Sequence, residues 1–168
     1  PLVDKDWLKD KICNDNIKII EVHRSKKDFE LAHIPCSVFT NFYVDGWRET
    51  RKKMPLLMPS KNTLEALIGS LGISSSDYVI IVAPGLGKYD MAEAAAIYFT
   101  FKYLGHKNIS ILDGGLKSWK EDWDNDTETG FFQPQEKIYK SEINNNILAN
   151  KKDVLEVINK NGYLIDAR

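Results

Sequence analysis

A surplus of charge of either sign is missing from this chain: 23 lysines and arginines stand against 24 aspartates and glutamates over 168 residues, a formal net charge of -1. With a pI near 6.4, that balance removes the broad electrostatic reason to expect nucleic-acid or membrane-surface binding. Long apolar runs are missing as well. No stretch approaches the roughly 20 residues of a membrane-spanning helix, and no basic-then-apolar signal segment opens the sequence. Cysteine is scarce. Cys13 and Cys36 are too few for a disulfide scaffold, which suits a reducing compartment, and Cys36 is expected to be buried or idle. The expected home is therefore cytoplasmic, or a mitochondrial matrix in a eukaryote. The length supplies one sizeable core with something left over.

What is present alternates between strand and helix. Residues 17–22, Ile-Lys-Ile-Ile-Glu-Val, are rich in β-branched residues and buried in character, bounded by Asp15-Asn16 and a charged stretch. The run 78–83 is the most continuous apolar segment and predicts a central strand of a parallel sheet. Residues 108–112 predict a third strand, and Val38-Phe39 a short fourth. Helices are predicted over 63–71, with Leu64, Leu67, Ile68 and Leu71 on one face and Gly72 as cap, and over 91–104, closed by Gly105. This order implies an α/β fold over residues 1–123: a mainly parallel sheet of four or five strands with helices on both faces. After Trp123 the composition turns polar. Residues 124–149 predict an inter-domain linker lying across the first domain, anchored by Phe131, Phe132 and Tyr139.

The end of the chain then repeats its beginning. Lys5-Asp6-Trp7-Leu8 leads into the strand at 17–22 and Arg24, and Lys152-Asp153-Val154-Leu155 leads into Tyr163-Leu164-Ile165-Asp166-Ala167-Arg168. Residues 150–168 thus predict the first helix and strand of a truncated second domain. A strand without its own sheet exposes an edge. This tail is expected to pack on the first domain, to pair with another copy, or to be poorly ordered.

Three further segments occur in a telling order. Ala32-His33-Ile34-Pro35 precedes Ser37-Val38; Leu71-Gly72-Ile73 precedes the 79–82 strand; Leu104-Gly105-His106 runs on to Ile111-Leu112-Asp113-Gly114-Gly115-Leu116 and Trp119. Together with Val3-Asp4 and Trp7-Leu8 they resemble the rhodanese (sulfurtransferase) superfamily, in particular the N-terminal domain of its tandem-domain thiosulfate/3-mercaptopyruvate sulfurtransferases. Ala32 and Cys36 stand where the family's turn has glycines. The resemblance implies a rhodanese-like three-layer sandwich. On physical grounds, Asp113-Gly114-Gly115 turns a strand directly into a helix, where glycine permits positive φ, and Trp119 falls on that helix's inner face. His33 and His106 are expected to brace turns rather than to act chemically.

In active members of the family a nucleophilic cysteine follows the central strand and opens a tight loop. The inward N–H groups of that loop stabilise its thiolate and persulfide. Here the loop is Ala83, Pro84, Gly85, Leu86, Gly87 and Lys88, with Ala83 at the cysteine position. Alanine has no nucleophile, and Pro84 lacks a donor. Asp90 with Glu93 predicts an acidic capping box that would repel an anion. The loop is a degenerate site, with no catalytic residue. Gly85-Leu86-Gly87 lacks the third glycine of a dinucleotide fingerprint, and Gly87-Lys88 lacks the following Ser or Thr of a P-loop. No cofactor is implied. Cys36 beside His33 lacks a second ligand cluster, so no metal site is implied either. Arg48, Arg51, Lys52 and Lys53 predict a solvated loop, or else a domain-facing or anion-facing surface.

The resemblance gives Arg168 the role of binding the small anionic sulfur donor, a task suited to the guanidinium fork. In the first copy, Ile20-Glu21-Val22-His23-Arg24 aligns so that Val22 replaces the aspartate kept at Asp166. The implied function is that of the non-catalytic N-terminal domain of a two-domain enzyme. The enzyme would move sulfane sulfur from thiosulfate or 3-mercaptopyruvate to cyanide or thiols through a cysteine persulfide. The partner implied is the second rhodanese domain of the same chain. The alternative is a non-enzymatic rhodanese-like module that binds another protein.

Overall fold

The computed structural model describes residues 1–166, apart from the Lys88 side chain. Five strands form one sheet: β1 (Leu2–Val3), β2 (Ile17–Val22), β3 (Ser37–Thr40), β6 (Tyr78–Val82) and β7 (Ile109–Leu112). Their order is β1-β7-β6-β2-β3, and every neighbouring pair is parallel. Alternation along β6 explains its central place. Val79 and Ile81 face one core with Ile20, Val22, Leu64, Ile68 and Phe101, whereas Ile80 and Val82 face the other with Ile19, Leu8, Leu116 and Trp119. A strand buried on both faces has to be apolar at every position. Helices α3 (Lys61–Ser70) and α4 (Lys88–Tyr103) supply the first core; α1 (Lys5–Lys9) and α5 (Gly115–Lys120) supply the second. A further short helix, α2 (Lys26–Leu31), joins β2 to β3. The expected parallel α/β sandwich is present, with the short strand β1 as an unforeseen edge.

Residues 49–57 are not the expected loop. They form an antiparallel hairpin, β4 (Glu49–Arg51) and β5 (Met54–Leu57). Lys52 and Lys53 make its two-residue turn with φ of 50° and 65°, the left-handed pair that a type I′ turn requires. Arg48 is not solvated. Its guanidinium donates to the carbonyls of Trp47 and Ala96 and to Thr100 Oγ1, and burial lowers its pKa.

The segment after Trp123 runs extended over the domain, held by backbone hydrogen bonds. Lys137 N–H donates to Gly69 O at 3.0 Å and Glu142 N–H to Leu104 O at 3.1 Å. A Cβ at Gly105 would come within 2.2 Å of the Glu142 carbonyl, so only glycine lets the strap lie this close. Tyr139 is the buried anchor. Phe131 is a partial one, with the Lys26 ammonium 3.4 Å from its ring centroid. Phe132 is 73% exposed and anchors nothing. Its register on the extended segment turns it outward. Helix α6 (Lys151–Asn159) follows, capped by Asn150, and buries none of its residues. Tyr163 and Ile165 are almost fully exposed and belong to no strand. The tail is thus not packed into the first domain.

The cysteines are neither buried nor idle. Cys13 and Cys36 are joined in a disulfide with Cα atoms 5.2 Å apart, and both lie at the surface. The cause is topological. Cys13 precedes β2 and Cys36 immediately precedes β3, and these strands are parallel neighbours, so their starts lie side by side. The bond closes a loop with a sequence separation of 23, a length for which chain entropy gives about 3 kcal/mol of stabilisation. The double variant Cys13→Ser/Cys36→Ser should lose stability of that order in urea unfolding. An unchanged midpoint would mean the bond stabilises nothing.

Candidate functional site

At the carboxyl end of β6 the chain enters the loop that resembles an active site. Ala83 is completely buried. Its carbonyl accepts the Leu116 N–H at 2.8 Å, and the Pro84 carbonyl accepts the Lys117 N–H at 3.1 Å. The first amides of α5 are therefore spent on the loop itself. The approach depends on Gly115, whose φ is +63° and whose notional Cβ would lie 2.2 Å from the Ala83 oxygen. Any side chain there would push α5 off the central strand.

The other side of the loop is closed by Asp90. Helix α4 begins at Lys88 with Gly87 as N-cap, so Asp90 sits one turn inside it. Its carboxylate accepts the N–H groups of Leu86 at 3.0 Å and Gly87 at 2.9 Å. These donors would otherwise face an incoming anion. The expected pairing of Asp90 with Glu93 as a capping box is not formed. Glu93 lies farther along α4 and takes Arg24, whose Nε donates to it at 2.9 Å. That hydrogen bond, reinforced by charge, raises the Arg24 pKa. A shallow cavity of about 480 Å³ lies over the loop, lined by His23, Arg24, Pro84, Leu86, Asp90 and Lys117 among others. Ala83, Pro84, Gly85, Leu86 and Gly87 form the connection between β6 and α4. Of Lys88 only the backbone is described, and Arg168, the expected donor ligand, lies outside the described residues.

The residue that sequence reasoning missed is Glu21. It is fully buried. One carboxylate oxygen accepts the Ile34 N–H at 2.5 Å and the Ser37 hydroxyl at 2.9 Å; the other meets His23 Nε2 at 2.9 Å. Val22, by contrast, is core. The carboxylate at the end of the first strand is thus retained at Glu21 and not lost at Val22. Moving the alignment of the two copies by one residue matches Glu21 with Asp166 and His23 with Arg168. The signal was available: an acid next to the Ile19-Ile20 pair of a buried strand must find donors.

The two loop histidines brace turns. His33 Nδ1–H donates to the Phe29 carbonyl at 2.8 Å, and its ring stacks on Phe29 with centroids 4.0 Å apart. Cys36, at the family's glycine position, has φ of +62°, the conformation that makes glycine the ordinary choice there. His106 sits buried between Tyr139 Oη and the Asp77 carbonyl, each 3.1 Å away. Burial lowers its pKa, partly opposed by the Asp77 carbonyl.

Comparison with known proteins bears on the fold and the family. The rhodanese-like domain family matches residues 4–122. The mitochondrial thiosulfate/3-mercaptopyruvate sulfurtransferase 1 of Arabidopsis thaliana is 29% identical over 128 residues, covering 71% of this chain and 32% of its own. The thiosulfate sulfurtransferase of Rattus norvegicus is 25% identical over 181 aligned positions, covering 99% of this chain and 59% of its own. Among solved structures, the 3-mercaptopyruvate sulfotransferase SseA from Escherichia coli superposes with a TM-score of 0.79 at 22% identity, over 95% of this chain and 62% of that one. At that identity the likeness is one of fold alone. The chain spans between 32% and 59% of the length of the two curated relatives.

The buried His106 generates a pH dependence. Its pKa is lowered in the folded state, so below the ordinary value of about 6.5 the unfolded chain takes up a proton first. Its contribution is complete above that pH and is lost as pH falls through it. Urea unfolding should show lower stability at pH 5.5 than at pH 7.5, and His106→Gln should reduce that difference. An equal difference in the variant would assign the loss elsewhere.

Proposed function

This chain belongs to the rhodanese-like domain family, and we propose that it is the non-catalytic N-terminal domain of a two-domain thiosulfate/3-mercaptopyruvate sulfurtransferase. The observation that carries the reading is the state of the loop after β6. Ala83 stands at the position of the nucleophile, and Asp90 occupies the Leu86 and Gly87 donors that would cradle a persulfide. The incomplete coverage of the relatives and the repeated helix-and-strand pattern at 150–168 support a second copy downstream.

In that protein a cysteine of the second domain would attack the sulfane sulfur of thiosulfate, breaking its S–S bond. With 3-mercaptopyruvate it would attack the thiol sulfur, breaking the C–S bond so that the enolate leaves and takes up a proton. It would keep that sulfur as a persulfide and release sulfite or pyruvate, then yield the sulfur to cyanide or a thiol. Covalent storage divides the transfer into two easier steps. Arg168 would bind the anionic end of the donor. The first domain contributes a rigid wall, built on the Gly115–Ala83 contact and the Arg24–Glu93 pair. Among the described residues no helix is long and apolar enough to cross a membrane. A cytoplasmic home loses part of its premise, because Cys13 and Cys36 are joined. A compartment that permits disulfides, or a pair that opens and closes, suits them better.

Assayed alone, residues 1–168 should show no sulfur transfer from thiosulfate or 3-mercaptopyruvate to cyanide. Ala83→Cys should restore none, since Asp90 still holds the loop's donors. Turnover that Cys36→Ser abolishes would overturn the reading. In the full-length protein, Arg168→Ala should lower kcat/KM for the anionic donor by about tenfold or more, the loss of one charge-assisted hydrogen bond. Unchanged donor kinetics would remove Arg168 from the site.

A further inference from the structure

The Cys13–Cys36 disulfide lies on the side of the fold where β2 and β3 begin, and the loop after β6 lies on the side where the parallel strands end. It therefore belongs to neither the degenerate loop nor the sulfur chemistry proposed above. Both cysteines are exposed, so an attacking thiolate reaches the bond without unfolding the domain. Both hold left-handed backbone, with φ of 57° at Cys13 and 62° at Cys36. That region is uncommon for a non-glycine residue.

The Cys36 turn also carries the strap. Cys36 N–H donates to Glu128 Oε2 at 3.1 Å. His33 and Glu128 exchange both backbone hydrogen bonds, at 3.0 and 2.8 Å. The disulfide is thus tied into the turn on which the start of the 124–149 segment is clasped. Beside it opens a cavity of about 470 Å³, whose lining includes both cysteines, Lys18 and Asp15, together with Lys137, paired with Asp77 at 3.1 Å, and Glu128, which accepts the Cys36 N–H. Charges of both signs around a reducible bond match a small thiol that carries both an ammonium and a carboxylate.

We propose that Cys13–Cys36 is a thiol-exchange site for a low-molecular-weight amino-acid-derived thiol, and that opening the bond loosens the clasp on Glu128. The chemistry balances with that thiol and its disulfide alone. A first thiolate attacks one cysteine sulfur, forming a mixed disulfide and releasing the other cysteine as a thiolate. A second thiolate attacks the small molecule's sulfur in the mixed disulfide and leaves as the symmetrical disulfide. Two electrons pass to the protein pair, and the reverse sequence closes it. Once open, Cys36 leaves its left-handed conformation and its N–H turns away from Glu128. The strap then frays from that end.

The test uses the 168-residue chain in glutathione buffers ranging from fully oxidised to fully reduced. Thiol state is read by alkylation and mass spectrometry, strap protection by limited proteolysis, and retention of the fold by near-ultraviolet circular dichroism of the buried Trp119 and Trp47. The pair should open and close reversibly with the glutathione ratio while the fold persists. Cleavage within 126–136 should become several-fold faster in the reduced form. Cys13→Ser should carry one glutathione on Cys36, and Lys18→Glu should slow exchange with glutathione but not with neutral 2-mercaptoethanol. A bond that stays closed in fully reduced glutathione, or opens without change in cleavage at the strap, would overturn the proposal. Equal exchange of both thiols with wild type and Lys18→Glu would overturn its ligand class. The wild-type arm decides the first two points even if a cysteine variant fails to fold.

Discussion

A buried carboxylate governs much of this domain. Removing the charge of Glu21 from water carries a penalty of several kcal/mol unless donors replace the solvent. Ile34 N–H, Ser37 Oγ–H and His23 supply them. In satisfying Glu21, the chain fixes the end of β2 against the turn that feeds β3. Ile34 goes into the core and Cys36 to the surface. The same turn sets the disulfide and the clasp on Glu128. Replacing Glu21 by an apolar residue would strand the Ile34 amide and loosen each of these together.

On the opposite side, the loop after β6 is kept in shape by its own contacts, with the Ala83 and Pro84 carbonyls taken by α5 and the Leu86 and Gly87 amides by Asp90. Gly115 lets α5 touch the Ala83 carbonyl, and Asp90 gathers the Leu86 and Gly87 amides. A thiolate-binding loop needs those amides aimed at an anion from outside. Here the anion is built in. A loop stabilised by its own carboxylate holds its shape without a bound ligand.

The sequence discloses most where the determinants are local. The apolar run of β6, the Gly114-Gly115 turn and the glycine-closed helices are each specified within a few residues, and all formed. It discloses least where two distant segments must meet. The Cys13–Cys36 bond depends on β2 and β3 being parallel neighbours, which no spacing of cysteines reports. Glu21 was hidden by an alignment one residue out of register, because strand ends carry no punctuation of their own. The β4–β5 hairpin was missed because Lys52-Lys53 occupies a turn usually signalled by Asn-Gly. Arg48 was misjudged because its burial comes from α4, about 50 residues farther along the chain.

The central claim is that sulfur is carried outside these residues. Its most direct test is to load the full-length protein with thiosulfate, trap persulfides by alkylation and map them by mass spectrometry. The account predicts one persulfide, on a cysteine beyond residue 168, with Cys13 and Cys36 recovered as their disulfide. A donor-dependent persulfide on Cys13 or Cys36, with none downstream, would contradict it.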